Sequence, residues 1–383
     1  MIMPATMKVL FLLTFSALGQ SLSITSSKSS KKNRFQPKTN KTGGGGGFGG
    51  GGPSLLKHKP DTSTSIQNLI NFLDKQGALG LSEGAGMEVG YDEKSGIRGI
   101  FCTAAFKKAE IICQIPSDCA LALSDPSSEQ ESGMVQASVN FLNFYADHPE
   151  ASQTWKPYLD SLPTLQSQFD ATPDFYDDDE LELCEFPTLM EKARDRQTEI
   201  GKLSKGNDFP LDKLQFATWL VSSRCFNIAL SESSQAEQQV DDQGRPLLST
   251  KTRELRVLVP LLDLANHASS VKANAELHLI DPHLDDAWFA LKATRSISPG
   301  QEICISYGSG IESSVELLLN YGFVPNDNAQ VDKLMMSKWQ EKHGSVAWST
   351  TLEEDESMLQ QATGRLQTIL RLRANLKRAS QVH

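Results

Sequence analysis

The 383-residue chain contains no Cys-x-x-Cys pair, no His-Glu-x-x-His and no uninterrupted apolar run of membrane-spanning length. Its six cysteines, Cys102, Cys113, Cys119, Cys184, Cys225 and Cys304, stand singly. Several lie in apolar, strand-like runs, where a free thiol packs as a small hydrophobe. The sequence therefore carries no zinc knuckle, no disulfide framework and no zinc-peptidase signature, and no metal is expected. A stable membrane span is not expected either. No internal repeat is present, and the many short strand-like runs argue against a doubly wound parallel sheet.

Acidic residues are also missing, but only from the front. Residues 1–60 hold nine of the 37 Lys and Arg residues and none of the 47 Asp and Glu residues. The rest of the chain thus carries 28 basic against 47 acidic side chains. An acidic body of this kind argues against non-specific nucleic-acid binding and suits a basic, lysine-bearing peptide. Within the front, Val9–Leu18 is a short apolar run after Lys8, the form of a signal-peptide core. Ser26–Lys41 is basic, hydroxyl-rich and acid-free, like an organelle transit segment. In tandem they suggest a bipartite leader to a plastid. A secretory signal followed by a linker, or a cytoplasmic chain with no cleaved leader, are the alternatives. Gly43–Gly52, broken only by Phe48, reads as a flexible linker.

The body mixes short strands and helices, an α+β pattern. Ile66, Leu69, Ile70 and Leu73 predict an amphipathic helix over 64–76. Strands are expected at 87–89, 99–102, 110–115, 255–262, 275–280, 287–293 and 302–307. Helices are expected at 133–146, 211–228, 313–320 and 353–378. The last would bury Leu359, Leu366, Ile369, Leu370 and Leu376. Trp155–Pro163 reads as an aromatic, proline-rich packing segment, and 231–252 as a polar loop.

Chemistry concentrates in the second half. The apolar run from Leu258 ends in Asn266-His267. Buried polar side chains cost free energy unless they have defined partners, so this pair points to a purpose beyond packing. Arg224 closes the apolar run Phe216–Val221 and calls for a carboxylate. Tyr307 ends a strand before Gly308, and Tyr321 and Phe323 flank Gly322. Asp263 and His267 share a four-residue spacing, and His278, His283 and several Asp follow, but these read as turn and loop residues, with Asp263 bracing the turn before Asn266.

Taken in order, seven segments resemble the SET-domain protein methyltransferases, and within them the plant Rubisco large-subunit lysine methyltransferase-like subfamily. They are Gly96-Ile97-Arg98-Gly99-Ile100-Phe101, Trp155–Pro163, Ser223-Arg224-Cys225-Phe226, Val259–His267, Gly300-Gln301-Glu302-Ile303, Ile305-Ser306-Tyr307-Gly308 and Tyr321-Gly322-Phe323-Val324. The set spans about residues 65–330. The resemblance implies a SET fold of small β-sheets with a knot-like C-terminal crossing, a helical insertion over about 117–252 and a short helical tail over 331–383. The SET domain itself would occupy 63–330, after a signal-like segment (1–23) and a transit-like, glycine-rich linker (24–62). The absence of a cysteine-rich zinc segment suits this branch, whose members carry a larger C-terminal helical domain than the sixty or so residues after Val324.

The resemblance also implies S-adenosylmethionine (AdoMet) as cofactor, transfer of methyl groups to a lysine ε-amine of a protein substrate, and a monomeric enzyme. Gly96, Arg98 and Gly99 match the cofactor-binding turn, with Ser95 where the family's first glycine usually stands; a plain hairpin turn is the alternative. Arg224 would take the cofactor carboxylate, or else form a structural salt bridge. Asn266 and His267 would hold the cofactor amino group and adenine, on which Phe323 would pack. Tyr307 would aim its hydroxyl at the methyl and the target nitrogen. Cys225, Phe226 and Tyr321 would line the substrate channel. Rubisco large subunit and plastid aldolase are family substrates; a histidine target, or a cofactor-binding scaffold without catalysis, are the other readings.

Overall fold

A computed structural model describes residues 58–82, 84–123, 133–167, 171–232, 251–281, 287–308, 310–326 and 328–381. The expected leader, transit-like segment and glycine tract lie outside these residues, as do most of the 231–252 loop and His283.

Three small antiparallel sheets frame the molecule. The first has the order β1 (His58–Pro60), β2 (Met87–Asp92), β3 (Arg98–Cys102) and β10 (Glu302–Ile303). The second joins β4 (Ile111–Pro116), β9 (Trp288–Ala293) and β8 (Ala275–Ile280). The third joins β5 (Leu121–Ala122), β7 (Lys251–Leu258) and β6 (Phe226–Glu232). The β2–β3 hairpin is closed by Asp92, whose Oδ1 accepts from the Ser95 amide (2.6 Å) and hydroxyl (2.7 Å). Gly96 takes the left-handed conformation (φ +71°) that completes the turn. β1 falls in the stretch expected to be linker: His58 pairs with Asp92, and its ring stacks on Phe101 at 4.4 Å.

Helix α1 (Thr64–Lys75) is capped by Ser63 and buries Ile66, Leu69 and Leu73 against the sheets, as its periodicity predicts. This first core also takes in α2 (Met134–Phe141), which runs into a π-helical turn at Leu142–Ala146, and α6 (Leu211–Arg224). A second core lies between α4 (Asp178–Cys184), α5 (Pro187–Asn207), α7 (Ser314–Tyr321), α8 (Ala329–His343) and α10 (Gly364–Gln381). Its buried residues include Leu181, Phe186, Leu189, Leu318, Met336, Leu372 and Leu376. The arrangement is α+β throughout, with a helical C-terminal region, as expected.

Between the sheets, two segments cross. A 3₁₀ turn at Leu262–Leu264 leads to His267, which forms a parallel bridge with Ile305. The Ile305 amide donates to the Asn266 carbonyl (3.0 Å), and the Ala268 amide to the Ile305 carbonyl (2.8 Å). A chain that has just left β10 is thus drawn in alongside the Asn-His segment.

Several elements differ from expectation. Trp155–Leu159 belongs to helix α3 (Pro149–Leu159), with Pro157 tolerated in its last turns. The expected 211–228 helix stops at Arg224, because Cys225 is extended (ψ 145°) and Phe226 opens β6. The 302–307 strand pairs only over Glu302–Ile303 before Ile305 turns to His267. The 353–378 helix is two helices, α9 (Leu352–Leu359) and α10, folded on each other; Leu366 is 41% exposed rather than core. The chain reverses after Gln360, which brings Asp355 of α9 onto Arg373 (3.1 and 2.9 Å) and Lys377 (2.5 Å) of α10.

All three of these charged side chains are buried. Removing Asp355 leaves Lys377 without a carboxylate and Arg373 with only Glu185 (3.0 Å), a defect that typically costs about 3–5 kcal/mol. Asp355→Ala should therefore lower the unfolding free energy by roughly that amount in denaturant titrations. A loss below about 1 kcal/mol would mean that water replaces the carboxylate.

Candidate active site

The crossing creates a compact polar knot beside β3. The Asn266 Nδ2 donates to the Arg98 carbonyl (2.9 Å) and to Glu302 Oε1 (2.7 Å). Gly99 makes this possible. A Cβ there would lie 2.5 Å from Glu302 Oε1 and 2.7 Å from Asn266 Nδ2, closer than real Cβ contacts allow. Asn274 grips the same strand: its Nδ2 donates to the Glu302 carbonyl (2.8 Å), and its Oδ1 accepts from the Cys304 amide (2.9 Å). Burial raises the Glu302 carboxyl above its ordinary value, opposed by hydrogen bonds from Asn266 and Cys304.

A second cluster sits at the end of α6. Arg224 Nη1 reaches the Asp263 carbonyl (3.3 Å) and Oδ2 (3.4 Å), and the Tyr158 hydroxyl donates to the same Oδ2 (2.9 Å). Burial pushes the Asp263 carboxyl up, while the Arg224 guanidinium pulls it down. Arg224 Nε and Asp263 Oδ1 are buried without a hydrogen-bond partner. Such orphans are costly in a finished core and mark a place where a polar ligand would be accepted.

The aromatic cluster completes the site. Tyr307 lies 4.5 Å from the Tyr321 ring, 5.2 Å from His267 and 6.5 Å from Phe323, centroid to centroid. The His267 ring is 5.7 Å from Phe323. The Tyr307 amide donates to His267 Nδ1 (3.1 Å), and its hydroxyl donates to the Ala265 carbonyl (3.1 Å). The ring proton of neutral His267 therefore sits on Nε2. Burial holds the Tyr307 and Tyr321 phenols above their ordinary values, so both stay protonated. Helix α7, with a Ser313–Glu316 capping box and Gly322 as its C-cap, delivers Tyr321 and Phe323 to this place. Tyr307 is hydrogen-bonded to Ala265 and His267, which flank Asn266 and closely follow Asp263, the partner of Arg224, so the three clusters adjoin one another. The half-buried Cys225 thiol is pushed up to about 11 by loss of solvent, with Arg256 pulling the other way. Arg256 in turn donates to Asn227 (3.0 Å).

Most residues singled out from the sequence come together here: Gly99, Arg224, Cys225, Asn266, His267, Tyr307, Tyr321 and Phe323, with Phe226 opening the adjacent strand β6. Two are placed differently. Arg98 contributes its carbonyl, while its guanidinium turns to the Ser161 carbonyl (2.7 Å) and Asp61 (3.8 Å). Gly96 stands at the hairpin tip, with no atom within 4 Å of where its Cβ would be. Glu302, Asn274 and Tyr158 were not singled out as site residues. Glu302 was legible as a carboxylate at the head of the apolar run Ile303-Cys304-Ile305, and Tyr158 lies within the Trp155–Pro163 segment; Asn274 carried no local signal. Asp263 and His267 face different partners, and among the described residues no three His, Cys, Asp or Glu side chains cluster as a metal site. No helix among them is long and apolar enough to cross a membrane.

Small sheets, a crossing of two C-terminal segments and an aromatic cluster beside an Asn-His pair define a SET fold. Residues 97–308, more than half the chain, match the family described as the SET domain, and the chain belongs to that family. Among solved structures, the SET domain of LSMT bound to lysine and AdoHcy is similar, with a TM-score of 0.59 and 16% identity over 84% of this chain and 90% of that one. Rubisco LSMT bound to AdoMet is similar at a TM-score of 0.57 and 14% identity, over 83% and 90%. At this identity the likeness is one of fold. No curated protein matches the chain.

Burial lowers the His267 imidazole to about 4. His267 is thus neutral at physiological pH. Because its folded value lies below its unfolded one, its share of stability is present above the unfolded value of 6.5 and is lost as pH falls toward 4. The His267 ring resonance should titrate near about 4; a midpoint near 6.5 would show that the ring is open to water.

Proposed function

We propose that this chain is an AdoMet-dependent protein methyltransferase acting on the ε-amine of a lysine. The observation that carries the reading is the neutral, buried Tyr307 hydroxyl in an aromatic enclosure directly beside the Asn266-His267 crossing. The residues present fit the cofactor: Arg224 offers an orphaned guanidinium N–H for a carboxylate, Asn266 Oδ1 can accept from an ammonium, and Gly99, by lacking a Cβ, lets Asn266 and Glu302 close on β3 in that orientation. Phe323, next to His267, offers a face for the adenine. When bound, the cofactor supplies an electrophilic methyl group.

The chain's own residues would then do three things. Tyr321 and Tyr307 wall a lysine side chain away from water, which lowers the amine's pKa and favours the neutral nucleophile. Their faces also attract a partly charged, methylated amine. Tyr307, its proton committed to the Ala265 carbonyl, keeps oxygen lone pairs to orient the amine for in-line attack. His267, neutral and accepting from the Tyr307 amide, holds that tyrosine's backbone rather than shuttling a proton.

The enzyme acts as a monomer on a basic, lysine-bearing protein, which its acidic body attracts. The kinship within the family is with the Rubisco lysine methyltransferase-like branch. With the leader-like front directing the chain to a plastid, Rubisco large subunit and aldolase head the substrate class. LSMT, the similar protein, has been seen with lysine and with monomethyllysine bound, which supports the lysine reading.

The test is transfer of labelled methyl from AdoMet to proteins of a plastid extract, followed by identification of the modified residue. Wild type should label lysine, and Tyr307→Phe should keep the fold but lose about 10²–10³ in turnover. Wild type that binds AdoMet yet labels nothing would reduce the chain to a scaffold. Label on histidine would move the target to imidazole.

A further inference from the structure

We infer that Glu302 is a positioning residue that fixes which way the Asn266 amide points, with Gly99 supplying the space it needs. The inference rests on the proposed role of Asn266 as a cofactor contact.

An asparagine amide has two N–H donors and one oxygen, and either end can face a given neighbour. Here both partners of the nitrogen end, the Arg98 carbonyl and the Glu302 carboxylate, are acceptors. Neither can tolerate the oxygen end, so the amide has one allowed orientation. Oδ1 is then the only polar atom of the side chain not engaged among the described residues, and it is presented to whatever lies beside the crossing. Without Glu302, the Arg98 carbonyl alone would hold the amide, leaving one N–H free to swing.

Glu302 is otherwise hard to explain. It opens a two-residue strand that runs into the apolar stretch Ile303-Cys304-Ile305, and a largely buried carboxylate costs free energy unless its hydrogen bonds repay it. Its backbone just after the side chain is pinned by Asn274, through the Glu302 carbonyl and the Cys304 amide. Its Oε1 fills the space a Cβ on Gly99 would take. Three chain segments thus converge on one hydrogen bond of 2.7 Å. Glu302 meets the Asn266 side chain directly, so its influence on a bound cofactor runs through Asn266.

The test is a double-variant cycle read by calorimetric titration of AdoHcy into the full chain: wild type, Glu302→Gln, Asn266→Asp and the two combined. Glutamine still offers an oxygen to Asn266, so Glu302→Gln alone should weaken binding by no more than about threefold. Asn266→Asp sets two carboxylates face to face and should weaken it by at least about tenfold. Adding Glu302→Gln to that variant turns an N–H toward the new carboxylate and should restore about tenfold. The same substitution would then act with opposite sign in the two backgrounds, which a space-filling role cannot produce. Equal factors in both backgrounds would overturn the inference. Should Asn266→Asp not fold, as judged by thermal unfolding, Glu302→Leu against Glu302→Gln carries the same contrast: loss with leucine and retention with glutamine, or else no difference and no positioning role. Wild type that binds no AdoHcy would instead overturn the proposed function itself.

Discussion

The site depends on the parallel pairing of His267 with Ile305. Two backbone hydrogen bonds lock the Asn-His segment beside a chain that has just left β10. Each polar side chain at the crossing is then placed by a short lever: Asn266 by β3 and Glu302, Tyr307 by the His267 ring, and His267 by the backbone of Tyr307. Residues some forty positions apart become immediate neighbours. The entropy cost of closing that loop is met once, by the crossing, and the aromatic pocket follows without further long-range ordering.

Charge is handled differently in the two halves of the molecule. In the C-terminal helices, Asp355 pairs with Arg373 and Lys377, while Glu185 and Thr350 engage their remaining donors, and the group holds a helical hairpin closed. At the crossing, Arg224 and Asp263 are paired imperfectly, at 3.4 Å, and each keeps a buried atom unengaged. A pair that leaves donors and acceptors over inside a core costs stability that better packing would recover. The unspent capacity lies on residues that closely precede Asn266 or pair with that segment. Stability has been given up where a charged small molecule would fit.

Much of this was legible in the sequence. Helix α1 and strands β2, β3, β4, β8 and β9 follow from apolar periodicity, and the Asn266-His267, Tyr307 and Tyr321–Phe323 anchors stand out as polar or aromatic residues at the ends of apolar runs. What was not legible has a common cause. α5 buries only Leu189, Ala193, Ile200 and Ser204 along its 21 residues, so tertiary packing rather than a strong apolar stripe holds it. The break between α9 and α10 is set by the buried ion pairs across the hairpin, which a pattern of apolar residues does not record. The direction of Arg98 is likewise decided by Asp61 and Ser161, distant in sequence. Where a residue's partner lies far along the chain, its identity hints at a role but not at its orientation.

Gly99 faces Glu302 and Asn266 so closely that a Cβ there would displace one of them from the proposed cofactor cradle. The most direct test is calorimetric titration of AdoHcy into the wild-type chain and into Gly99→Ala, with circular dichroism to show that both fold. Saturable binding by wild type and at least a tenfold weaker affinity in a folded Gly99→Ala, about 1.4 kcal/mol or more, is the predicted result. Equal affinity in the two proteins would contradict it.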